Sequence, residues 1–101
     1  MDPSCISLKA TSFLDSTGSI VGSAGRFADE LVRNLRDGRS VNVSMEGMRG
    51  VASSYFNVVL QRITKELGIE ALDRLRFQWD STAQKVVYQR SLKSLLAANP
   101  R

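Results

Sequence analysis

The 101-residue chain has no histidine, one cysteine, two prolines and one tryptophan. Without histidine it can form neither a Ser-His nor a Cys-His nucleophile pair, and it has no imidazole to ligate zinc. The lone thiol, Cys5, can build neither an internal disulfide nor a thiolate cluster, and such sparse use of cysteine fits a reducing compartment. The carboxylates Asp29, Glu30, Glu46, Glu66, Glu70 and Asp73 are scattered and form no acid-base pair motif. These absences predict a protein that is not an enzyme and uses no cofactor or metal. Phosphate-binding glycine loops are also missing. Gly47 and Gly50 match neither G-x-x-x-x-G-K-[ST] nor G-x-G-x-x-G, and Gly18, Gly22 and Gly25 are too widely spaced for either. No apolar run approaches the roughly 20 residues of a membrane span, and MDPSCISL lacks the regions of a signal peptide, so no membrane association and a cytoplasmic location are expected.

The rest of the composition is that of an ordinary globular protein. Hydrophobic residues make up 43% and charged residues 24%, which predicts a single folded domain over 1–101 with its core at about 18–98. The net charge of +4, from 14 Lys and Arg against 10 Asp and Glu, is enough to attract acidic partners weakly. There is no internal repeat and no low-complexity segment.

Along the chain, Ile6, Leu8 and Ala10 alternate as a short strand, with Phe13 and Leu14 extending it or turning back. The small residues of Asp15 to Gly25 read as a loop. From Arg26 a helix is expected, with Phe27, Ala28, Leu31, Val32 and Leu35 on one side and Gly38 as its stop. Val41, Val43 and Met45 form a second strand. Phe56, Val59, Leu60, Ile63 and Leu67, widened by Tyr55 and Val58, then form the stripe of a helix from about Ser53 to Leu67, ended by Gly68. Ile69 to Asp73 carries one further helical turn, and Leu75, Phe77 and Trp79 alternate as a third strand. Ser81-Thr82-Ala83-Gln84 has the S-x-x-Q form of a capping box opening a last helix, with Val87 or Tyr88, Leu92, Leu95 and Leu96 facing inward. A strand over Lys85 to Gln89 competes with that helix, and Asn99 to Arg101 reads as a frayed tail. Strands alternating with helices predict an α/β fold in the order β-α-β-α-β-α, a small single-sheet sandwich with parallel pairing.

The centre of this pattern is Val41 to Leu60, VNVSMEGMRGVASSYFNVVL, where a strand passes through a glycine-bearing turn into a helix that opens on Ser53 and Ser54. Serine is a preferred helix cap, so the pair reads either as a cap or as regulated, ligand-contacting hydroxyls. The stretch resembles the signature of STAS domains, the fold of anti-sigma factor antagonists, in which a strand ending in an acidic residue leads into an Asp-Ser-Ser-Gly-Leu helix start. Ser53 and Ser54 fall on the two serines, Ser44 and Ala52 on the two aspartates, and Tyr55 on the glycine. A closer likeness is to a STAS-like family of unknown function, through Gly25-Arg26 before the first helix, the middle strand and the Ser-Ser-aromatic step; it covers roughly residues 18 to 96.

The resemblance implies a regulatory protein-interaction module whose partner is a histidine-kinase-like ATPase or a regulator of transcription. It also implies phosphorylation of Ser54, the second serine of the pair. Tyr, Met and Arg are enriched at interfaces, which marks Arg49, Met48 and Tyr55 as a contact patch. The expected partner surface is Arg49, Ser53, Ser54, Tyr55 and Asn57. The alternative is a small nucleic-acid-binding accessory protein, using Arg74, Arg76, Lys85, Arg90 and Lys93 near Trp79 and Tyr88 as a basic face with interleaved aromatics.

Overall fold

Alternating side chains make three short strands, and the alternation decides which way the sheet faces. The structure, a computed structural model, describes residues 5–14, 20–48 and 50–98. The strands are β1 (Cys5–Lys9), β2 (Ser40–Ser44) and β3 (Leu75–Gln78), all parallel and in that spatial order. Their register aligns Ile6, Val41 and Leu75 in one row and Leu8, Val43 and Phe77 in the next. Between these rows, and pointing the other way, lie Ser7, Asn42 and Arg76, then Lys9, Ser44 and Gln78. One face of the sheet is therefore apolar and the other polar.

Three helices cover the apolar face: α1 (Ile20–Arg36), α2 (Ser53–Leu67) and α3 (Thr82–Ala98). Phe77 of β3 meets Phe56 of α2 at 6.0 Å and Tyr88 of α3 at 4.7 Å between ring centroids, which puts both helices on the same side. Phe27 of α1 stacks on Tyr55 of α2 at 6.0 Å. The outline of 35 × 35 × 22 Å agrees, since its short dimension holds one sheet and one layer of helices each about 10 Å thick. Parallel sheets are usually covered on both faces. Here the face that no helix covers among the described residues is, apart from Cys5, made of serine, asparagine, glutamine, lysine and arginine, which can meet water without cost.

The α/β class and the expected element order hold, and α2 has the bounds its apolar stripe predicts. Phe56, Val59, Leu60 and Ile63 are buried, each contributing about 1.5–3 kcal/mol. Gly68 ends α2 at φ 89°, a conformation that side-chain-bearing residues rarely adopt. Ile69–Arg74 is a 3₁₀ segment, and Lys85 to Gln89 is helical, which resolves that alternative.

Four expectations are corrected. The stretch read as a loop up to Gly25 is helical from Ile20, because the small side chains of Ser23 and Ala24 are buried there and let α1 pack closely. Phe13 neither extends β1 nor starts a hairpin; Ala10–Phe13 is a 3₁₀ turn. Val58 and Leu96 are exposed at 41% and 44%, because the inward arcs of their helices are filled by Tyr55, Phe56 and Val59 and by Ser91 and Leu95. Met45 and Trp79 lie one residue beyond their strands, although the Met45 N–H still donates to the Gln78 carbonyl at 3.0 Å. Residues 15–19, Arg49 and the expected tail 99–101 lie outside the described residues.

Candidate functional site

At the end of β2 the chain must reverse in a few residues, and Gly47 at φ 82° makes the corner. The Met48 N–H closes a turn onto the Met45 carbonyl at 3.1 Å, and the Gly47 N–H donates to Asp80 Oδ2 at 3.2 Å. Two carbonyls of the corner are also held by one residue of α3. The amide nitrogen of Gln84 donates to the carbonyls of Met45 at 3.2 Å and Met48 at 2.6 Å, while its Oε1 accepts the Asp80 N–H at 2.8 Å. Gln84 is buried, and burying an amide is tolerable only when its donors and acceptor are satisfied in this way. Its own N–H donates to Ser81 Oγ at 3.3 Å, the capping bond expected of S-x-x-Q. The capping motif was legible in the sequence. The clamp on a loop 36 to 39 residues away was not.

The clamped loop delivers the chain to α2. The cap position is Ala52, whose methyl accepts no hydrogen bond, so the serine pair is not the cap: Ser53 and Ser54 are the first two helical residues, both exposed. The Ser53 carbonyl accepts from Ser91 Oγ of α3 at 3.2 Å, which ties the two helices at this end. Tyr55 turns the other way. It is 1% exposed, stacked on Phe27 and edge-on to Phe56 at 5.4 Å, so it presents nothing to a partner; that part of the expected surface is corrected. Its hydroxyl is buried without a hydrogen-bond partner among the described residues, and burial pushes the phenol's pKa well up.

Asn57 is exposed and lines an open groove of about 770 Å³ between α2 and α3. Asn57, Gln61 and Thr64 form one wall, and Ser91, Ser94 and Ala98 the other. Leu60 and Leu95 lie at the floor, with Lys65 and Glu70 toward the far end. A second hollow of about 450 Å³ shares Asn57, Ser91 and Ser94 and adds Ser53, Val87 and Arg90, so the two are continuous along the helices. Of the expected contact residues, the structure brings Ser53 and Asn57 together on this groove. Ser54 is exposed beside it, Tyr55 is inside, and Arg49 is outside the described residues. Gln61, Thr64, Ser91 and Ser94 were missed. Their signal is a stripe of amides and hydroxyls, at four- and three-residue steps on α2 and one three-residue step on α3.

Charge is distributed unevenly over the helical layer. Arg62 bridges Asp29 of α1 and Glu66, Arg36 reaches Glu66 at 3.3 Å, and Glu30 pairs with Arg33. These hydrogen bonds hold the carboxyls of Glu66, through Arg62, and Glu30, through Arg33, below the usual carboxylate range. Of the expected basic-aromatic face, Arg76, Lys85, Arg90 and Lys93 are exposed. Trp79 and Tyr88 are half-buried against Phe56 and Phe77, and Arg74 donates to the carbonyls of Leu35 at 2.8 Å and Arg39 at 3.0 Å. Among the described residues no three of Cys, Asp and Glu gather to hold a metal ion, and no helix is long and apolar enough to cross a membrane. No protein family, no curated protein and no solved structure matches this chain.

Proposed function

We propose that the chain is a non-enzymatic regulatory module of STAS-like fold that binds a protein partner through the opening of α2 and the α2–α3 groove. The observation that carries this reading is the convergence of exposed Ser53 and Asn57 on one elongated groove, with Ser54 exposed alongside. From Asn57 to Gly68 the groove follows about 16 Å of helix, a length suited to an extended or helical segment of another protein. The strand-turn-helix passage and the placement of both serines in the first turn of α2 support the STAS-like reading. The resemblance makes the partner a histidine-kinase-like ATPase or a transcription regulator, and makes Ser54 its point of control. A phosphate there adds about −1.5 to −2 charges near the positive end of a helix, altering the surface a partner meets.

The test is capture of partners from native-host lysate by the purified protein, in parallel with Ser54→Asp, Asn57→Trp and, on the opposite side of the molecule, Gln78→Trp. The expected result is one partner retained by the original chain and by Gln78→Trp, and lost with Asn57→Trp or Ser54→Asp. A partner set indifferent to both α2 changes would overturn the proposed surface.

A further inference from the structure

We infer that the segment received by the α2–α3 groove is acidic, an amphipathic helix of the partner that sets a carboxylate against Arg90. This deepens the interaction reading above and rests on it. The argument is one of charge that has no counterpart within the molecule. On α1 and α2 the acidic residues Asp29, Glu30 and Glu66 are matched by Arg33, Arg36 and Arg62. On α3 the sequence TAQKVVYQRSLKSLLAA holds Lys85, Arg90 and Lys93 and no acidic residue. All three are exposed, and none takes part in an ion pair among the described residues. Of these three, Arg90 is the one that lines the groove.

Arg90 adds the geometry. Its side chain lines the hollow at the Ser53 end together with Asn57 and Ser94, so an incoming carboxylate would find a planar guanidinium flanked by an amide and a hydroxyl. Farther along, Leu60, Ile69, Leu95 and Ala98 offer apolar contacts to the segment, in a stretch also lined by Lys65 and Glu70. An occupant with a narrow stripe of small apolar residues and glutamates beside it satisfies both parts. A basic segment would leave Arg90 facing like charge.

The experiment measures fluorescence anisotropy of a labelled amphipathic helical peptide with an alanine-leucine stripe flanked by glutamates, against the same peptide with lysines in place of the glutamates. The glutamate peptide should bind, weaken about tenfold or more with Arg90→Glu, weaken less with Lys93→Glu, and lose affinity as salt is raised. Both substitutions are on exposed positions, and circular dichroism verifies that the variants fold. Equal binding of the lysine peptide, or an Arg90→Glu variant that binds the glutamate peptide unchanged, overturns the inference. So does tighter binding of a short DNA duplex than of the peptide. If lysate capture depends on Asn57 while the glutamate peptide does not bind, the acidic class falls and the interaction surface stands. If capture is also indifferent to Asn57, both fall.

Discussion

Tyr55 carries into the core a phenol hydroxyl that has no hydrogen-bond partner among the described residues. A buried, unpaired polar group costs about 1–3 kcal/mol, so Tyr55→Phe should raise stability by about 1 kcal/mol, read as a higher urea midpoint at neutral pH. A loss of stability instead would show that the hydroxyl has a partner. The same group governs the alkaline limb. Because burial raises its folded-state pKa, the fold favours the neutral phenol. That contribution is complete below the ordinary tyrosine value of about 10 and is lost as the pH climbs above it. Tyr88 shifts in the same direction for the same reason, so the original chain should lose stability above about pH 10, and Tyr55→Phe should lose less.

At the scale of the element, α2 begins without a side-chain cap because its cap position is Ala52. An oxygen there would accept one of the free N–H groups of the first turn, and Ala52→Asp should stabilise the protein by about 0.5–2 kcal/mol, measured by chemical denaturation. No gain would mean that another group already occupies those N–H positions. The bounds of α2 were legible in the sequence because Phe56, Val59, Leu60 and Ile63 mark a buried stripe with little ambiguity. The start of α1 was not, since Gly22, Ser23 and Gly25 have low local preference for a helix and are held in one by packing that no local pattern records. The site divides in the same way. Ser53 and Asn57 belong to a motif visible along the chain, whereas Ser91, Ser94 and Arg90 form the second wall only once the sheet has brought α3 beside α2. The stripe that Tyr55 widens also decides its fate: its position on the helix turns it into the core, and composition alone cannot place it on a surface.

For the molecule as a whole, the order β1-β2-β3 gives the central strand two neighbours and each outer strand one. Amide hydrogen exchange should therefore be slow at every residue from Val41 to Ser44. Along Cys5–Lys9 it should alternate between slow and fast residue by residue, as successive N–H groups point toward β2 and away from it. Uniformly slow exchange along β1 would mean that a further segment covers its outer edge, which has no partner strand among the described residues. The hydrogen bonds of Gln84 add a constraint of another kind, one of timing. As the chain leaves a ribosome, the strands and helices up to Leu67 emerge first, yet the Met45 and Met48 carbonyls lack the Gln84 amide until α3 follows. The corner leading to Ser53 is thus among the last parts of the molecule to set. A nascent or truncated chain lacking α3 would present its serine pair on an unfinished turn.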